Sequence, residues 1–166
     1  MSSSEGRPYG LWSSPITPKF LSQGLRLNDC AWDSDGATLV WHEGRSDRGA
    51  LVSSRLDGEA PRDLTDELSV RARLGYGGGD FGVGGGRVFF VANGRLYAQA
   101  LAGGRSRPIT PAFADIASPT VSPDGSVVLF VSSYERKDAL AVVDSDGKQW
   151  PRKVAEGRDF YMQPRL

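Results

Sequence analysis

The stretch "YGGGDFGVGGGRVFF", residues 76–90, carries glycine at 77, 78, 79, 82, 84, 85 and 86. Gly77, Gly79 and Gly82 fit G-x-G-x-x-G, which in one context is a loop whose amides hold a phosphate and in another a turn between strands. The residues that follow decide between them. A dinucleotide fingerprint runs from a strand into a helix, whose N-terminus supplies the amides and dipole that hold the pyrophosphate. Here "GRVFFVANGRLYAQA", residues 86–100, reads as two strands joined by Asn93-Gly94, a pair preferred in tight hairpin turns that need positive φ. No G-K-[ST] is present, and no acidic residue sits at a later strand end to hold a ribose. The glycines are read as close packing between strands plus a tight turn, and nucleotide binding is not expected.

Working outward, the same pattern recurs. "DLT" at 63–65, "PIT" at 108–110 and "KVA" at 153–155 end 45 residues apart, and each follows a turn: "LDG" at 56–58, "LAGG" at 101–104, "DSDG" at 144–147. Earlier in each unit come "DSDG" at 33–36, "GGG" at 84–86 and "SPDG" at 122–125. Each of these leads at once into an apolar, β-branched or aromatic run: "ATLVWHE", "RVFFVAN", "SVVLFVSS". Every unit therefore holds four short strands in meander order. In the third they are roughly Ile116 to Val121, Val127 to Ser133, Ala139 to Asp144 and Pro151 to Ala155. Apart from a short turn near Thr17 to Ser22, no helical stripe is sustained. The expected fold is all-β: a partial β-propeller of about three four-stranded blades plus the start of a fourth. The blades are expected at 25–68, 69–113 and 114–158, after an N-terminal extension at 1–24 and before a truncated fourth at 159–166.

The 166 residues suit about one domain. Twenty basic residues balance twenty acidic ones, and no run of one sign occurs, which argues against a general grip on nucleic acid or an anionic membrane. One cysteine, Cys30, cannot close an internal disulfide, so a reducing compartment is expected. The start lacks the basic and apolar regions of a signal peptide, and no apolar run of about 18 residues occurs, so the chain reads as soluble and cytoplasmic.

"YGLWSSPITPKFL", "LRLNDCAWDSDG", "VRARLGYGGG", "GRVFFVANGRLYAQAL", "RPITP", "VSPDG" and "DFYMQPR", in this order across nearly the whole chain, resemble the N-terminal propeller of prolyl oligopeptidase-type (S9) serine peptidases. The acylaminoacyl-peptidase and dipeptidyl-aminopeptidase branch is the most similar. In that family a seven-bladed propeller caps an α/β-hydrolase domain that carries the catalytic triad. The resemblance implies that this chain is part of such an enzyme, with the remaining blades and the hydrolase domain as partners and short peptides as the parent's substrates. It also implies a role in shielding and gating rather than in covalent chemistry. The alternative is a stand-alone β-propeller-like interaction module that binds a protein partner or self-associates.

No catalytic residue, cofactor site or metal site is expected in the chain itself. "GRSDRG" at 44–49 has arginine where a G-x-S-x-G elbow needs its second glycine, and the sole histidine, His42, falls within a strand as a half-buried structural residue. The family commonly has His-Glu just before Tyr-Gly-Gly-Gly, whereas this chain has Gly75 alone in that interval, so any substrate role of that glutamate is missing. Arg71, Arg73 and Tyr76 do match, and they are the substrate-channel candidates; Arg71 and Arg73 alternate and so share one face of an extended segment. Cys30 is expected in core packing. The aromatic residues Trp12, Trp32, Trp41, Tyr97, Trp150 and Tyr161 are expected between blades. The "DSDG" turns lack the further oxygen ligands of a calcium loop.

Overall fold

A computed structural model describes residues 16–166. The chain opens with one helical turn, α1 (Pro18–Ser22), in which the Thr17 hydroxyl accepts the Phe20 amide at 3.0 Å and proline occupies the first turn. Twelve strands follow among the described residues. The first sheet is β1 (Arg26–Trp32), β2 (Thr38–Gly44), β3 (Gly49–Arg55) and β4 (Arg62–Asp63). The second is β5 (Phe81–Gly84), β6 (Arg87–Ala92), β7 (Arg95–Ala100) and β8 (Arg107–Pro108). The third is β9 (Asp115–Val121), β10 (Val127–Tyr134), β11 (Lys137–Asp144) and β12 (Arg152–Glu156). Each is an antiparallel meander in chain order, so the three expected blades are present. Among the described residues no helix is long and apolar enough to cross a membrane.

Two apolar seams join the sheets. Between the first and second, Val40, Leu51, Leu64 and Val70 meet Phe81, Val88, Phe90 and Ala92. Between the second and third, Phe89, Val91 and Leu96 meet Ile116, Val128, Phe130 and Val143. Consecutive residues of β6 therefore face opposite seams, and "VFFVA" is buried throughout because the middle sheet is covered on both sides. In β2 the burial alternates instead, since Val40 and His42 face the second sheet while Leu39 and Trp41 face away.

The repeat is visible in individual hydrogen bonds. The Thr65 hydroxyl accepts the Leu51 amide at 2.9 Å, and Thr110, 45 residues on, accepts the Leu96 amide at 2.9 Å. Each buried threonine thus ends the pairing of the outer strand, and β4 and β8 are only two residues long. Ala155, at the equivalent place in the third sheet, has no hydroxyl; there the backbone ladder runs on to Glu156.

Several expectations need correction. Cys30 is exposed rather than in the core, because it pairs with Trp41 on the face of the first sheet turned away from the second. Trp32 and Trp150, expected between blades, are 50% and 70% exposed, while Trp41, Tyr97 and Tyr161 are partly buried. Trp12 lies outside the described residues. Val128 is fully buried in the second seam. β10 and β11 continue to Tyr134 and Lys137, past the expected ends at Ser133 and Ala139. They close a tight turn at Glu135-Arg136, with φ of 50° and 64°, where the preceding blade uses Asn93-Gly94. Neither side chain signals a left-handed turn, so the strand ends there are not legible in the sequence.

Candidate functional site

The glycine stretch lies along the seam between the second and third sheets. A side chain on Gly82 would overlap the Pro119 carbonyl, and a Cβ on Gly78 would stand 2.7 Å from that of Ala117. These glycines let β5 run against β9, the close backbone approach expected from the sequence. Gly85 and Gly86, with φ of 63° and 71°, form the β5–β6 turn. Their amides are already taken: Gly85 donates to the Ser34 hydroxyl at 3.0 Å, and Gly86 to the Asp33 carboxylate at 3.1 and 3.2 Å. Buried Asp33, from the "DSDG" turn of one blade, thus closes the glycine turn of the next. These two amides fasten the first blade to the second.

The crossover from β4 to β5, residues 64–80, carries the substrate-channel candidates. The Arg71 amide donates to the Val91 carbonyl at 2.8 Å, which ties the crossover to β6 and leaves the Arg71 and Arg73 side chains exposed. Tyr76 turns the other way. Its hydroxyl donates to Asp138 Oδ2 at 2.5 Å on β11 and stands 3.2 Å from the Tyr161 carbonyl, while its ring meets that of Phe160 edge-on at 5.1 Å. Burial, followed by the Asp138 carboxylate, pushes the phenol up to about 12. Tyr76 is therefore fixed against the third sheet and the 160–161 segment, whereas the two arginine side chains are exposed and have no hydrogen-bond or ion-pair partner among the described residues.

Sequence reasoning missed the partner of His42. Its Nδ1 lies 2.9 Å from Asp80 Oδ2, and the other Asp80 oxygen accepts the Ala72 amide at 2.6 Å. The pair joins β2 of the first blade to the end of the crossover. A His-Asp contact of this kind is two members of a hydrolytic triad, but among the described residues no nucleophile stands at the other ring nitrogen. His42 is 3% exposed, and its Nε2 has no hydrogen-bond partner. A Cβ on Gly49 would stand 2.5 Å from that nitrogen, so the Gly49 backbone occupies the place where a nucleophile would have to come. The signal for this pair was present in "GGGD": an aspartate closing a glycine run at a strand start, which only the fold sets opposite His42. Among the described residues no group of three or more His, Cys, Asp or Glu is disposed to hold a metal ion.

No protein-family model matches the chain, and no curated protein matches it. Solved structures do. A puromycin-hydrolyzing peptidase of Mycobacterium tuberculosis superposes with a TM-score of 0.75 at 24% identity, over 96% of this chain and 29% of that one. A putative TolB of Agrobacterium tumefaciens gives a TM-score of 0.60 at 18% identity over 79% of this chain and 47% of its own. The β-propeller domain of the trilobed protease of Pyrococcus furiosus gives 0.54 at 15% identity over 80% and 42%. The chain shares the propeller fold with all three, and it spans less than a third of the length of the mycobacterial peptidase.

Proposed function

We propose that these 166 residues are the N-terminal propeller portion of an S9-type serine peptidase, of the acylaminoacyl-peptidase or dipeptidyl-aminopeptidase kind, with blades at 25–68, 69–113 and 114–158. The observation that carries the reading is the superposition of 96% of this chain on a peptidase more than three times as long. The order of the motifs from "YGLWSSPITPKFL" to "DFYMQPR" supports it. In this role the chain does no covalent chemistry. It shields and gates a hydrolase site supplied elsewhere, limiting access to short peptides and excluding bulk water. Arg71 and Arg73, exposed on one crossover, are offered as channel-lining cations for peptide carboxylates, and Tyr76 as the residue that sets the crossover against the third blade. The lone cysteine supports a reducing compartment, the cytoplasm.

Reading the coding sequence that flanks these 166 codons tests the assignment. Further blades and a G-x-S-x-G domain in frame are expected; flanks without either would refute it. The longer product should cleave aminoacyl p-nitroanilides, and the 166-residue chain should not. A second reading, a stand-alone interaction module, is favoured by the apolar side chains exposed on the first and third sheets, among them Leu27, Trp32 and Val154.

A further inference from the structure

A cleft of about 540 Å³ opens where the first sheet meets the crossover, bordered by the start of β1, the β2–β3 turn and residues 69–72. Its hydrogen-bonding capacity is unequally used. The carboxylates in and behind it are engaged: Asp80 by His42 and the Ala72 amide, Glu43 and Asp63 by Arg45, and Asp47 by Arg48. Several donors are not. Arg26 and Arg71 line the cleft with no hydrogen-bond or ion-pair partner among the described residues, and the buried Nε of Arg48 has no acceptor. His42 also borders the cleft, but its Nε2 is closed off by the Gly49 backbone and adds no donor to it. A buried donor without an acceptor is costly, and the Arg48 Nε, beside two exposed and unpaired guanidinium groups, marks a place that a ligand can complete.

The unmet demand is for acceptors, so the matching ligand is one that accepts and does not donate. We propose that this cleft binds a small oxyanion, a carboxylate or phosphate group carried on a compact organic body. Guanidinium forks fit such groups through paired charge-assisted hydrogen bonds. Arg26 belongs to the first blade and Arg71 to the crossover into the second, so the anion bridges the two. The volume leaves room for more than the anionic group itself. The site rests on this chain's own side chains and does not depend on the peptidase reading.

The test is a titration of the isotope-labelled 166-residue chain with inorganic phosphate and, separately, with acetate at constant ionic strength, followed by amide chemical shifts. Saturable shifts centred on Gly49, Ser69 and Ala72 are expected. Arg26→Gln and Arg71→Gln should each weaken binding by about tenfold. Arg105→Gln, which makes the same charge change at an exposed arginine outside the cleft, should leave it unaltered. Saturation by one anion alone tells a phosphate site from a carboxylate site; saturation by both indicates a general oxyanion site. Linear shifts with either anion, or an equal loss in Arg105→Gln, would overturn the proposal, since general screening of charge gives that result. Should Arg71→Gln fail to fold, Arg26→Gln decides alone, because Arg26 lies at the exposed start of β1.

Discussion

Single residues show how a repeated sequence becomes a repeated contact. Thr65 and Thr110 recur at the period of the chain because each supplies a hydroxyl for the amide of the strand beside it, and that amide is buried. The recurrence could be read from "DLT" and "PIT"; the bond itself could not. Tyr76 gives a sharper test. Its phenol ionises at about 12 in the folded chain against an ordinary 10.0, because burial and the Asp138 carboxylate both disfavour phenolate. A folded value above the unfolded one means that Tyr76 adds stability fully below pH about 10 and loses it as the pH rises toward 12. In an ultraviolet titration of phenolate, Tyr76→Phe should remove the phase that appears at the highest pH and leave the others in place. Loss of a phase near the ordinary tyrosine value would show that Tyr76 is not held by Asp138.

At the level of elements, the glycine run and the strand β9 were designed for each other. Gly82 sits where any side chain would strike the Pro119 carbonyl, whereas a Cβ on Gly75, just before the run, meets nothing within 4 Å. Gly82→Ala should therefore destabilise the chain by about 1–3 kcal/mol, the usual cost of forcing atoms into a packed seam. Gly75→Ala should change stability by no more than about 0.5 kcal/mol. Urea unfolding followed by circular dichroism measures both, and equal effects would mean that β5 and β9 are not in close register. The strands themselves were legible, since turns such as Asn93-Gly94 and "SPDG" bound apolar runs. The turn at Glu135-Arg136 was not, because the β10–β11 ladder forces positive φ on residues that do not advertise it.

At the scale of the molecule, the described residues form two apolar seams between three sheets, with large apolar side chains left on the outer surfaces. Leu27 and Trp32 are 71% and 50% exposed on β1. Covering one such side chain is worth about 1.5–3 kcal/mol, a sizeable part of a domain's net stability of about 5–15 kcal/mol. The purified chain is expected to self-associate or to gain stability from a partner, with a melting temperature that rises with concentration. Leu27→Lys together with Trp32→Lys should weaken that association in sedimentation equilibrium without loss of the β-sheet signal. A monomer at all concentrations, with a fixed melting temperature, would refute the expectation. Val128→Lys is not a substitute, since it places a charge inside the second seam and reports on folding.

Local chemistry determined the strands, the meander and the period, because turn residues and apolar runs act within a few positions of one another. It also separated the glycine run from a nucleotide loop, since the decision needed only the strand that follows. Which side of each strand is covered was decided by the stacking of the sheets, and that is why Cys30 and Trp32 face outward while Val128 does not. The pairing of His42 with Asp80, 38 positions away, and of Tyr76 with Asp138, likewise exists only in three dimensions. A sequence records which groups can pair; the fold fixes which of them come within hydrogen-bonding distance.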